Sequence, residues 1–250
     1  GRLLTAASIM GVMLKGEYDN ITLRFNGDGP AGSIIAVADS SGNGRISVQN
    51  PIVELPLNDK GKLDVSGALG KTGYLYVIKD IGLKEPFIGT TEIVSGEVAE
   101  DITNYYAVSE QTPSVCSLGV LINPDLSVNC AGGFLIQLLP GCPDEIIDVI
   151  EKNIAGIPPV TTMLTDGLTP DDMAKKALSG LKIEKLDESE FTYKCACSRQ
   201  KAEAAMLSAG RAELEDMVKE NKPFTVECHF CNNNYEFTTE QIKTLLKKLK

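Results

Sequence analysis

Tyr193-Lys194-Cys195-Ala196-Cys197 and, thirty residues on, Cys228-His229-Phe230-Cys231 place two close cysteine pairs near the C-terminal end of this 250-residue chain. Each pair can supply two ligands from one tight turn, and the intervening segment is long enough to fold back and bring the pairs together. Zinc accepts a tetrahedron of sulfurs at about 2.3 Å and asks little more of the backbone. The spacing therefore predicts one Zn2+ per chain, held by the thiolates of Cys195, Cys197, Cys228 and Cys231. Around the second pair, Val226-Glu227 and Tyr235-Glu236-Phe237 read as short strands. Asn232-Asn233-Asn234 supplies residues that tolerate positive φ. The first pair sits just before a helix-like run over 198–207. Thr238 and Gln241 then form a capping-box pattern, with Ile242, Leu245, Leu246 and Leu249 on one face of a last helix.

The chain is long enough for a sizeable core plus a smaller second unit, and with 43% hydrophobic residues it is globular. Its formal charge of −10 argues against a general nucleic-acid binder. That acidity is uneven: 193–250 holds 10 Lys+Arg against 8 Asp+Glu, whereas 1–192 holds 14 against 26. Cys116, Cys130 and Cys142 are scattered through apolar or turn-like sequence and read as small buried hydrophobes. The paired cysteines fit a reducing compartment where thiols remain free for metal. The opening apolar run to Leu14 follows Arg2 like a signal peptide, but no small-residue cleavage site follows it. It is short for a membrane span and is predicted to be a buried helix of a soluble, cytoplasmic protein. The start at Gly1 is abrupt, as though earlier residues had been removed.

Along the chain, 18–26 alternates with Ile21, Leu23 and Phe25 on one face, the mark of a half-buried strand. Segments 33–38 and 45–48 form a hairpin around Ser40-Ser41-Gly42-Asn43-Gly44. Residues 51–56 are extended, Asn58-Asp59-Lys60-Gly61 turns, and 74–79 is a strand apolar on both faces. Helical spacing over 97–111 puts Ile102, Tyr105, Tyr106 and Val108 on an apolar face. Strands over 115–122 and 126–139 join at Asn123-Pro124-Asp125. The resulting fold class is α+β: a mainly antiparallel sheet with helices over 1–142. A helical linker over 143–192 follows, and 193–250 forms a small four-cysteine zinc domain. Pro143, Pro158-Pro159 and Thr169-Pro170-Asp171-Asp172 divide the linker into short helices with few strong apolar faces.

Other chemistries are set aside. Gly67-Ala68-Leu69-Gly70-Lys71-Thr72 has Val65 where a phosphate loop needs its first glycine, so a plain turn is expected. Ser109-Glu110-Gln111-Thr112-Pro113-Ser114 could hold a nucleophile only with the single histidine as base. His229, between two metal ligands already matched by sulfurs, is expected to face outward as neither ligand nor base. Glu97, Glu100 and Asp101 are expected to serve a helix start, and Lys243, Lys247, Lys248 and Lys250 a solvated last-helix face. No enzymatic activity is expected.

Several stretches then add up to a resemblance: Asn50-Pro51-Ile52-Val53-Glu54-Leu55-Pro56-Leu57-Asn58, Lys62-Leu63-Asp64-Val65, Ile93-Val94-Ser95-Gly96-Glu97-Val98-Ala99-Glu100-Asp101 and Ala131-Gly132-Gly133-Phe134. With the CxC…CxxC ending, the chain resembles the 33 kDa heat shock protein family of redox-switched holdase chaperones over its whole length. Members of that family usually carry a strand and helix ahead of the segment that here starts at Gly1. The resemblance implies a zinc-bound, inactive reduced form. Oxidation would form disulfides Cys195–Cys197 and Cys228–Cys231, release the metal, unfold the small domain and loosen the linker. The active form would be a homodimer that holds unfolding client proteins without ATP, with no nucleic-acid or membrane partner. Two rival readings of the residues remain: a zinc-ribbon nucleic-acid module using the lysine-rich last helix, and a thiol oxidoreductase using Cys228 and Cys231.

Overall fold

The computed structural model describes residues 1–59 and 61–249; Lys60 of the expected turn and Lys250 of the basic last-helix face lie outside them. Helix α1 (Arg2–Val12) buries Leu3, Ala6, Ala7 and Met10, as expected of a core helix. Small residues let it lie close on the sheet: a Cβ added to Gly11 would meet Ala38 Cβ and the Asp39 carbonyl at 3.0 Å. The strand alternation holds in β1 (Asn20–Gly27), where Ile21, Leu23 and Phe25 point into the core. Strands β2 (Ser33–Asp39) and β3 (Asn43–Val48) form the expected hairpin, closed by Asp39 Oδ1 accepting from the backbone N–H of Ser41 and Asn43.

A short helix, α2 (Val65–Leu69), precedes the glycine-lysine turn. The turn's amides of Lys71 and Thr72 both donate to Asp28 Oδ1, so they are spent inside the fold and do not line a phosphate cradle. Strand β4 (Gly73–Asp80) pairs with β1 on one side and with β5 (Phe87–Glu92) on the other. Sequence periodicity does not reveal β5, because Gly89 interrupts it. In the fold that glycine accommodates the Tyr105 ring, whose Cε2 would lie 2.6 Å from an added Cβ.

Helix α3 (Val98–Val108) buries Val98, Ile102, Tyr105 and Tyr106. Val108, expected on that apolar face, is instead 64% exposed at the helix end. Strands β6 (Ser114–Ile122) and β7 (Val128–Gln137) form a separate hairpin. Leu126, expected within the second strand, occupies the turn with φ of 69°.

Helices α4 (Asp144–Gly156), α5 (Val160–Thr165) and α6 (Pro170–Ala177) follow, with the capping box Thr169–Asp172 opening α6. They carry more apolar burial than their sequence suggests. Val160, Met163 and Met173 are buried in a cluster with Phe134 of β7 beside them. Glycines make the bed for α5: Cβ atoms added at Gly119 and Gly132 would meet Val160 and Leu164 side chains at 3.0 Å. A two-residue strand, β8 (Thr192–Tyr193), closes the segment parallel to β3. The main sheet thus runs β5-β4-β1-β2-β3-β8, antiparallel except at that last pair.

The chain divides into two compact units, Gly1–Tyr193 and Lys194–Lys250, so residues 143–192 cluster with the first. The second contains α7 (Arg199–Ala209), α8 (Arg211–Glu220), the hairpin β9 (Phe224–Glu227) and β10 (Asn234–Phe237), and α9 (Thr239–Leu246). Its own core is Ala202, Met206, Leu214, Phe237, Ile242 and Leu245. Both short strands and the Thr238–Gln241 capping box appear where the sequence indicates them. No helix among the described residues is long and apolar enough to cross a membrane.

Candidate metal centre

Strand β9 runs into Cys228, whose N–H donates to the Asn233 carbonyl at 2.9 Å. The chain then turns back on itself, with Cys231 and Asn232 both donating to the Cys228 carbonyl. Asn232 takes the left-handed conformation this turn requires, at φ 56°. His229 is exposed within the turn, in line with the outward orientation expected of it. The first pair is positioned by α7. Ser198 caps that helix by accepting from Lys201 N–H, which leaves Cys197 one residue ahead of its positive end, a favourable place for a thiolate. Arg199 braces the arrangement, its guanidinium 4.3 Å from the Phe237 ring centre and 3.0 Å from Gln241 Oε1.

The four sulfurs of Cys195, Cys197, Cys228 and Cys231 lie within 4.8 Å of one another, and all four side chains are half-buried. Cys195 Sγ is 3.6 Å from Cys228 Sγ, and Cys197 Sγ is 3.4 Å from Cys231 Sγ. Sulfurs about 2.3 Å from a tetrahedral ion would stand about 3.8 Å apart, so the donor set suits a single metal ion. Both of these contacts run between the two pairs. With all six distances inside 4.8 Å, however, proximity does not select a disulfide pairing.

The electrostatics are uneven. The Tyr235 hydroxyl donates to Cys197 Sγ at 3.1 Å and brings that thiol down to about 6. Burial raises Cys195 above its ordinary value. Cys231 receives the Asn233 backbone N–H, yet burial and the neighbouring sulfurs push it up to about 12. Four thiols this close resist joint ionisation, and a divalent cation relieves that conflict. Tyr235 is the residue that sequence reading missed. The available signal was its place on β10: with Phe237 it occupies the inward face of a strand that starts just beyond the second pair.

Other singled-out residues have structural partners. Glu97 pairs with Arg2. Asp101 is buried, accepting from Val94 N–H at 2.6 Å and from Ser95 N–H. Glu110 accepts from Lys79 Nζ at 2.7 Å and from the Tyr105 hydroxyl. Cys116, Cys130 and Cys142, expected to be buried, are half-buried. Cys116 still packs against the main core, and burial pushes its thiol up to about 12. Cys130 lies at the edge of the β6–β7 hairpin with Sγ 4.0 Å from the Thr161 carbonyl, and Cys142 follows that hairpin in a turn, where covering atoms are fewer.

Comparison with known proteins agrees with the geometry. A family model described as Hsp33 protein matches residues 1–238. The chain is 46% identical over 247 residues to a 33 kDa chaperonin of Clostridium botulinum (strain Alaska E43), covering 99% of this chain and 84% of that protein. A 33 kDa chaperonin of Bacillus cereus (strain B4264) is 45% identical over 249 residues, covering 100% and 85%. Among solved structures, the 33 kDa chaperonin (heat shock protein 33 homolog) of Thermotoga maritima superposes with a TM-score of 0.90 at 42% identity, over 99% of this chain and 83% of that one. With four clustered cysteines at the end of an α+β chain matched almost throughout, this protein belongs to the Hsp33 family.

Proposed function

We propose that this chain is an ATP-independent holdase chaperone, held inactive by one Zn2+ on Cys195, Cys197, Cys228 and Cys231 and activated by their oxidation. Membership in a chaperone family supports the general role. The observation that carries the switch is the set of four sulfurs within 4.8 Å. Bound there, zinc supplies a cross-link between the β9–β10 turn and the start of α7.

Cys195 and Cys197 would become one disulfide, and Cys228 and Cys231 the other. For each, one sulfur attacks hydrogen peroxide, the O–O bond breaks and hydroxide leaves, giving a sulfenic acid. The partner thiolate then attacks that sulfur, the S–S bond forms, the S–O bond breaks and a second hydroxide leaves. Each disulfide passes two electrons to one peroxide. The four thiolates are thereby consumed as ligands, and the unit of about sixty residues loses its cross-link. In this reading 143–192 is the linker that loosens in turn, 1–142 carries client binding and dimerisation, and the oxidised protein is a homodimer in the cytoplasm.

The lysine-rich last helix gives little support to a nucleic-acid role, since Lys243 pairs with Glu240 at 2.7 Å and Lys248 with Glu203 at 3.7 Å. The test is to treat reduced, zinc-loaded protein with peroxide at mildly elevated temperature, following zinc release and suppression of aggregation of an unfolding client together. Release of one zinc per chain in step with the onset of suppression is expected. Retention of zinc under oxidation refutes the switch, and release without suppression refutes the holdase role for this chain.

A further inference from the structure

We propose that Tyr235 steers oxidant attack away from one sulfur of the cysteine cluster by donating its hydroxyl to Cys197, which makes that sulfur a poor nucleophile. The inference rests on the reading of the cluster as a thiolate metal site. The hydroxyl lies 3.1 Å from Cys197 Sγ, inside the range for a hydrogen bond to sulfur, and Asn233 Nδ2 approaches the same sulfur at 3.8 Å. Two side-chain donors thus converge on one of the four sulfurs. Tyr235 is not free to swing away: it is half-buried on β10, its ring packs beside the core that contains Phe237 and Ile242, and its backbone is paired with Val226.

A metal-bound thiolate is already deprotonated, so an outer hydrogen bond does not change how much of it is ionised. What changes is the energy of the sulfur lone pair, which the donor lowers. An ordinary hydrogen bond is worth about a decade in an equilibrium. Thiolate attack follows basicity with a slope of about 0.4–0.5, so that decade is about threefold in the rate of attack on peroxide. Oxidation would therefore begin elsewhere in the cluster, and Cys197 would act mainly as a resolving partner. In that step its thiolate attacks a sulfenic sulfur formed from another cysteine and peroxide; the S–S bond forms, the S–O bond breaks and hydroxide leaves.

The discriminating variant is Tyr235→Phe, which keeps the ring and removes only the donor. In the full-length, reduced protein loaded with zinc, the share of peroxide-formed sulfenic acid trapped by dimedone at Cys197, relative to Cys231, should be about threefold higher in the variant than in the wild type. Iodoacetamide labelling during the same reaction should rise at Cys197 relative to Cys231. With Co2+ in place of zinc, the sulfur-to-cobalt charge-transfer band should move to lower energy in the variant, a shift that a purely packing role would not produce.

An equal share of sulfenic acid at Cys197 and an unmoved band overturn the inference while leaving the metal site standing. A smaller share at Cys197 in the variant also overturns it, since the hydroxyl would then be helping hydroxide leave at that sulfur. A variant that holds no metal assigns Tyr235 a folding role and overturns it as well. Failure of the wild type to hold one metal per chain removes the metal site and this inference together.

Discussion

Replacing Leu214 by alanine tests whether the metal and the small core of the second unit form one cooperative structure. Leu214 lies on α8, is 0% exposed, and packs in a cluster with Met206, Phe237, Ile242 and Leu245 that contains no cysteine. Truncating a fully buried leucine costs about 3–5 kcal/mol, with the cavity it leaves included. A unit of about sixty residues has about 3–9 kcal/mol of stability at typical values per residue, so the substitution removes much or all of it. Folding must then be driven by the metal, whose binding supplies on the order of 10 kcal/mol. A loss of about 3 kcal/mol in folding should appear as metal affinity weakened by about a hundredfold. The assay is competition with a chelator of known affinity on the full, reduced chain, with circular dichroism to confirm that the loaded variant remains folded. Affinity within about threefold of wild type, with the fold destabilised, would mean that the site is preformed and the coupling argument is wrong.

Two predictions concern the larger unit. Burial raises the Asp101 carboxyl, against the backbone N–H groups of Val94, Ser95 and Gly96 that donate to it, and its Oδ2 is buried without a hydrogen-bond partner. A raised folded-state value gives stability that is present below the unfolded value near 4 and lost as pH rises through the folded one. The stability of wild type minus that of Asp101→Asn should therefore fall as pH rises above about 4, and a flat or rising difference in urea midpoints counts against it. At Gly27, an added Cβ would sit 2.0 Å from the Leu69 carbonyl oxygen, a backbone atom that cannot step aside. Gly27→Ala should cost about 3 kcal/mol and lower Tm by about 6–12 °C. Gly156→Ala, with nothing within 4 Å, should leave Tm unchanged or slightly raised; equal effects at the two sites would sink the steric argument.

Much of this protein is written in short-range sequence signals. The four cysteines need only two tight turns and a helical hairpin between them, so their spacing singles them out as a candidate ligand set, and the structure brings their sulfurs within 4.8 Å of one another. The buried face of β1, the buried opening helix, and the caps at Thr169 and Thr238 are likewise matters of local period and local hydrogen bonding. What escaped reading depends on partners far away in the chain. β5 looks like a loop because Gly89 breaks its apolar pattern, and only the Tyr105 ring lying against that glycine explains it. Asp101 reads as an exposed helix-start acid until the loop carrying Val94 and Ser95 folds over it. The helices after the β6–β7 hairpin show few strong apolar faces in sequence, yet α5 is buried because Gly119 and Gly132 let it approach.

The same division runs through the metal centre. Sequence by itself determined which atoms can bind the ion, because ligand type and spacing are chemical and local. Tertiary structure decided which sulfur receives the Tyr235 hydroxyl, because that depends on β10 pairing with β9 and turning its inward face toward the start of α7. Such a contact is selected by the packing of the whole unit, and no window of neighbouring residues encodes it.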